Sequence, residues 1–81
     1  MKLQIITPEK ILVEGEASVV QVPGTEGDFG VLPGHAPFVS TIRPGVITVE
    51  LAGGGKEEVP VESGLAEVTP EKCLLLVELA A

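Results

Sequence analysis

The side chains able to do chemistry in this 81-residue chain are few: one histidine, His35, one cysteine, Cys73, and a scatter of carboxylates and lysines. Histidine is the one side-chain type whose unperturbed pKa lies near neutrality, which makes His35 the first candidate for proton transfer. A nucleophilic mechanism would need a serine or cysteine and an orienting carboxylate beside it, and no spacing in the chain nominates them. A metal site would find only Glu26 and Asp28 nearby, hard oxygen donors with no second histidine. His35 therefore reads as a structural loop histidine, with a contact to a partner as the alternative. Cys73 is followed by Leu74, Leu75 and Leu76 and has only Lys72 as a basic neighbour, so it reads as a small core hydrophobe rather than a reactive thiol. One cysteine also excludes an intramolecular disulfide and a multi-cysteine zinc site.

Two glycine-rich stretches invite other chemistry. Gly24, Gly27 and Gly30 recur every third residue like a phosphate cradle, but neither the strand-to-helix GxGxxG pattern nor a GK[ST] ending is present, and Glu26 and Asp28 would repel phosphate. Asp28-Phe29-Gly30 spells a kinase motif without the other kinase elements. Lys56 follows Gly53-Gly54-Gly55, and lipoyl or biotinyl carrier domains also place a lysine on a hairpin of a small acidic β-sandwich. Gly55-Lys56-Glu57 matches neither carrier context, so a solvated hairpin charge is the plainer reading. The residues nominate no catalytic group, no metal and no cofactor.

The elements that must position these residues are strands. Val22 to Gly45 holds five of the ten glycines and four of the seven prolines. Pro33-Gly34 and Pro44-Gly45 are turn dipeptides, and each proline fixes φ, so the segment is stiff, irregular and non-helical. Such a segment in a strand-like chain reads as a surface built to be touched. On either side lie short β-branched runs: Lys2 to Thr7, Ile11 to Val13, Ala17 to Val22, Val46 to Leu51, Glu57 to Glu62 and Leu65 to Val68. In Val46 to Leu51, Ile47, Val49 and Leu51 share one face. Pro60 points to an edge-like register. The tetrad Thr-Pro-Glu-Lys occurs at Thr7 to Lys10 and again at Thr69 to Lys72, where it fits either a type I turn or a helix start. The leucine-rich run after the second copy leaves helix and strand equally open on propensity. Turn signals every 8 to 12 residues indicate an all-β sandwich or barrel of about eight to ten short strands in one domain.

A formal net charge of −7, with 12 acidic against 5 basic residues, excludes the basic stripe that nucleic acid requires. No apolar run approaches the ~20 residues of a membrane span. Met1-Lys2 leads straight into a strand pattern instead of a secretory signal, so the chain reads as soluble.

The segment VPGTEGDFGVLPGHAPFVSTIRPG closely resembles the epsilon subunit of F-type ATP synthases, called delta in mitochondria, and Thr7-Pro8-Glu9 and Ser63-Gly64-Leu65-Ala66-Glu67-Val68 extend the resemblance along the chain. It implies a flattened β-sandwich of about ten strands spanning residues 1 to 81. It also implies a non-catalytic part of the rotor's central stalk that binds the gamma subunit and the c-ring and couples ion flow to ATP synthesis. The ring contact it implies falls on Glu26, Gly27, Asp28 and Phe29 with His35 beside them, and the gamma contact on a sheet face near Thr7 and Ile42. It makes Cys73 to Glu78 the last strand and the chain a peripheral one, on the cytoplasmic face of a bacterial inner membrane or the matrix or stromal face of an organelle membrane. Relatives continue into a C-terminal helical hairpin that in some bacteria binds ATP. This chain stops before it, so neither ATP binding nor hairpin-type inhibition is expected of it.

Overall fold

A computed structural model of the chain describes residues 1–80. All its regular structure is β: β1 (Lys2–Ile6), β2 (Ile11–Gly24), β3 (Gly27–Val31), β4 (Phe38–Ile42), β5 (Gly45–Leu51), β6 (Lys56–Val68) and β7 (Lys72–Leu79). The seven strands form one hydrogen-bonded network that doubles over into a flattened sandwich, 18 Å across its thinnest dimension. Two sheets of side chains facing each other at the usual ~10 Å spacing account for that thickness.

Strand count is where the structure departs from expectation, with seven strands in place of about ten. The difference lies in β2 and β6, which run for 14 and 13 residues. Gly15 and Ser63-Gly64, which look like breaks, lie inside them. The register of β6 against β7 shifts between Val61 and Ser63, and that of β2 against β5 between Ala17 and Val19. An extra residue in one strand reverses which alternate positions face inward. Accordingly Val59 and Val61 point into the core before the shift in β6 and Ala66 and Val68 after it. One long strand thus serves three neighbours: β6 pairs with β5 through its first half and with β4 and β7 through its second.

Both Thr-Pro-Glu-Lys tetrads are hairpin turns. The Thr7 amide donates to the Lys10 carbonyl at 2.9 Å, and the Thr69 amide to the Lys72 carbonyl at 2.8 Å. The leucine-rich run after the second is strand β7, antiparallel to β6 and parallel to β1. Tertiary pairing therefore overrides its helical propensity. Pro60 lies in β6 with its carbonyl accepting from Ala80 at 3.3 Å. The amide side of a strand residue faces the same way as its carbonyl, so the missing donor falls where β7 is ending and no rung to β5 is lost.

The core is aliphatic: Leu3, Ile5, Ile47, Val49, Leu75, Val20, Val22 and Val31 are fully enclosed, and Cys73 with them. Burial pushes the Cys73 thiol up from 9.0 to about 11. The neutral thiol is the favoured form inside, so its contribution to stability is complete below pH 9 and is lost as pH rises through about 11. Two pK units correspond to roughly 2–3 kcal/mol. Two outcomes are expected: Cys73 resists a thiol reagent at pH 8 until denaturant is added, and Cys73→Ala flattens the fall in stability between pH 9 and 11 seen in urea titrations.

Candidate interaction site: the β2–β3 tip

The β2–β3 hairpin closes on the pair Gly24 and Gly27, with Thr25 and Glu26 at its apex. Gly27 has φ +133°, a conformation costly for any residue with a side chain. Gly24 is needed for space: a Cβ there would sit 2.7 Å from the Gly27 carbonyl oxygen and 2.8 Å from the Phe29 ring. Gly24 and Gly27 thus have steric and conformational reasons that involve no phosphate.

Behind the tip, Phe29 and Phe38 meet edge to face with ring centroids 4.7 Å apart at 81°, the arrangement favoured by the ring quadrupoles. His35 also packs beside Phe38, centroids 5.7 Å apart. Its Nδ1 donates to the Ala36 carbonyl at 2.7 Å, and its amide donates to Leu32 at 3.1 Å. The ring braces the loop between β3 and β4, while the Gly34 amide ties that loop to the Pro70 carbonyl at 2.9 Å.

The sequence-nominated residues separate into two groups. Glu26, Gly27 and Asp28 are exposed, Phe29 is half-buried, and all four line one open cleft of about 520 Å³ with Thr25, Phe38, Val39, Ser40 and Thr41. His35 joins them through Phe38. Thr7 and Ile42 are elsewhere in role: both are buried, at 6% and 3% exposure. The Thr7 hydroxyl accepts from the Glu9 and Lys10 amides and donates to the Lys10 carbonyl, so it is spent on its own turn. Ile42 pairs with Gly24 and supports the tip from inside.

Sequence reasoning missed Arg43 and Thr41. The Arg43 guanidinium pairs with Asp28, and the Thr41 and Thr25 hydroxyls share a hydrogen bond of 2.6 Å. One signal was available: Arg43 is the only lysine or arginine between Val22 and Gly45, a stretch with two acids. Lys56 is paired opposite Glu50 in the β5–β6 ladder, one residue beyond the glycine turn. Intact-mass spectrometry of the chain from its natural host is expected to show Lys56 unmodified.

The tip and its braces coincide with the stretch that carries the resemblance, and comparison with known families extends it to the whole chain. The model for "ATP synthase, Delta/Epsilon chain, beta-sandwich domain" matches residues 1–81. The chain belongs to this family. Among curated delta/epsilon relatives, the ATP synthase epsilon chain of Bradyrhizobium sp. (strain BTAi1) is 51% identical over 76 residues, covering 94% of this chain and 56% of the relative. Among solved structures, a chain in the cryo-EM structure of the Euglena gracilis mitochondrial ATP synthase (OSCP/F1/c-ring, rotational state 1) superposes with a TM-score of 0.87 at 26% identity. It is covered to 51% of its length, and this chain to 98%. A chain of the Tetrahymena thermophila mitochondrial ATP synthase central stalk and c-ring shares the fold at TM-score 0.77 and 15% identity, with 96% of this chain and 63% of that one covered. The delta/epsilon chain described here spans a little over half the length of the curated relative.

Proposed function

We propose that this chain acts as the β-sandwich of a rotor central-stalk subunit of an F-type ATP synthase, joining the gamma subunit to the c-ring and contributing no catalytic group of its own. The observation that carries this reading is the stiff, exposed acidic turn Thr25 to Asp28, backed by Phe29, Phe38 and His35 in a family whose members are ATP synthase chains. Acidic side chains on a braced turn suit the polar, basic loop heads of a ring, where complementary charge sets register more than affinity. Among the described residues no helix is long and apolar enough to cross a membrane. Glu26→Cys paired with a cysteine in the ring loop is expected to form an oxidative cross-link in the assembled complex, and its complete absence would remove the tip from the interface.

For gamma, the sheet face beside Thr7 supplies what Thr7 and Ile42 themselves do not. Ile6 pairs with Ile11 on one side and Leu76 on the other, and Leu76 pairs with Leu65. Directly paired residues share a face, so these four make one apolar row across β2, β1, β7 and β6. Ile11 and Leu76 are 51% and 42% exposed. Leu76→Glu is expected to weaken co-purification with gamma at least ~10-fold while leaving the unfolding midpoint nearly unchanged, as for an anchor at an interface core. Full retention of gamma by that variant would count against this face.

A further inference from the structure

We propose that Arg43 is a positioning residue for the tip: it occupies Asp28 internally and, with Thr41, clamps the Thr25 to Asp28 turn, leaving Glu26 as the carboxylate presented to a basic partner. This inference rests on the ring contact proposed above and assigns its two acids different jobs.

The clamp is built from backbone and side chains together. The end of β4 runs antiparallel to the end of β2, where Gly24 pairs with Ile42. On one side of that pair the Arg43 amide donates to the Pro23 carbonyl at 2.9 Å, and on the other the Thr25 amide donates to the Thr41 carbonyl at 3.0 Å. The Thr25 and Thr41 hydroxyls close a further bond at 2.6 Å. Pro44 fixes the chain after Arg43, and Gly45 packs so tightly that a Cβ there would lie 2.9 Å from Pro23. From this base the guanidinium reaches Asp28, across the hairpin from its own strand. Among the described residues the ion pairs are Met1 with Glu16 and Arg43 with Asp28, so Glu26 has no internal partner. Both members of the Arg43–Asp28 pair are substantially exposed, and such a pair adds little to overall stability. Its consequence is therefore for where the turn points and for which charge it shows.

Arg43→Asp separates the clamp from simple attraction. If a basic partner merely met two acids, removing the neighbouring positive charge would strengthen binding. The clamp requires the reverse, because the carboxylate introduced in place of the guanidinium would repel Asp28 and release the turn. Binding to purified c-ring in detergent is the first readout, and amide exchange of Thr25 in the chain alone is the second. Asp28→Arg and Arg43→Asp are each expected to weaken ring binding about tenfold and speed Thr25 exchange about tenfold, from the loss of one opposed charge pair and its replacement by a repulsive one. The double exchange of Asp28→Arg with Arg43→Asp, and Arg43→Lys alone, are expected to return both readouts to within about threefold of the parent, with unfolding midpoints level throughout. Ring binding that strengthens in Arg43→Asp, or that stays lost in the double exchange, would place Asp28 itself against the partner and overturn the proposal. A parent chain that fails to bind the ring sinks the ring contact instead. The exchange data then still decide the clamp, which falls if Thr25 exchanges at the same rate in every variant.

Discussion

Gly64→Ala is expected to lower the unfolding midpoint by roughly 12–24 °C, the shift of about 3 kcal/mol in a domain of this size. A Cβ at Gly64 would lie 2.5 Å from the Leu76 carbonyl oxygen and 3.2 Å from both Cα and Cγ1 of Val77. The first obstacle is backbone, so no rotamer change relieves it. Gly64 is also paired on both sides, with Val77 in β7 and Ile42 in β4, so moving away from one neighbour presses on the other. Relief requires β6 and β7 to separate, which weakens the rungs around Leu65 and Leu76 and opens the core at Leu75 and Ala66. At ~0.05–0.15 kcal/mol per residue the whole domain is held by roughly 4–12 kcal/mol, so one methyl group removes a large share. Circular dichroism melts read the effect directly. A midpoint within 3 °C of the parent would mean that the β6–β7 pairing is looser than its register implies.

That glycine shows how far the sequence could be read. Alternation marked β5 because side-chain period is a local property. Gly64 looked like punctuation because a glycine that lets backbones approach and a glycine that ends a strand leave the same letter. Which one it is depends on β7, whose leucines arrive ten residues later in the chain. The same limit explains the strand count: bulges at Ala17–Val19 and Val61–Ser63 interrupt alternation without interrupting the strand. In the tip, turn chemistry made Val22 to Gly45 a surface segment, and Glu26 and Asp28 are exposed within it. The pairing of Asp28 with Arg43 was not legible in this way, since it joins residues 15 apart through the closure of β4 on β2. Thr7 illustrates the converse, a polar residue that looks available for a partner and is consumed by its own turn.

Gly24→Ala is expected to destabilise the domain by about 1–3 kcal/mol and to weaken the proposed ring binding more than ten-fold, because the strained group is the tip itself. The added Cβ would meet the Gly27 carbonyl at 2.7 Å and the Phe29 ring at 2.8 Å, so the closing pair of the hairpin must open and the edge-to-face contact with Phe38 must shift. Two other glycines calibrate the effect. At Gly30 the same Cβ would approach only the amide end of Gln21, at 3.2 Å, and a flexible side chain can step aside. At Gly53 nothing lies within 4 Å. Gly30→Ala and Gly53→Ala are therefore expected to change stability by no more than ~0.5 kcal/mol, the usual range for surface substitutions. Gly53→Ala, on the β5–β6 turn, should leave ring binding untouched. The comparison separates composition from geometry: one methyl group is added in each case, and only at Gly24 does it collide with backbone under the acidic turn. Equal loss of ring binding in Gly53→Ala and Gly24→Ala would show that the rigidity of the tip has no part in recognition, and parent-like binding by a destabilised Gly24→Ala would show the same from the other side.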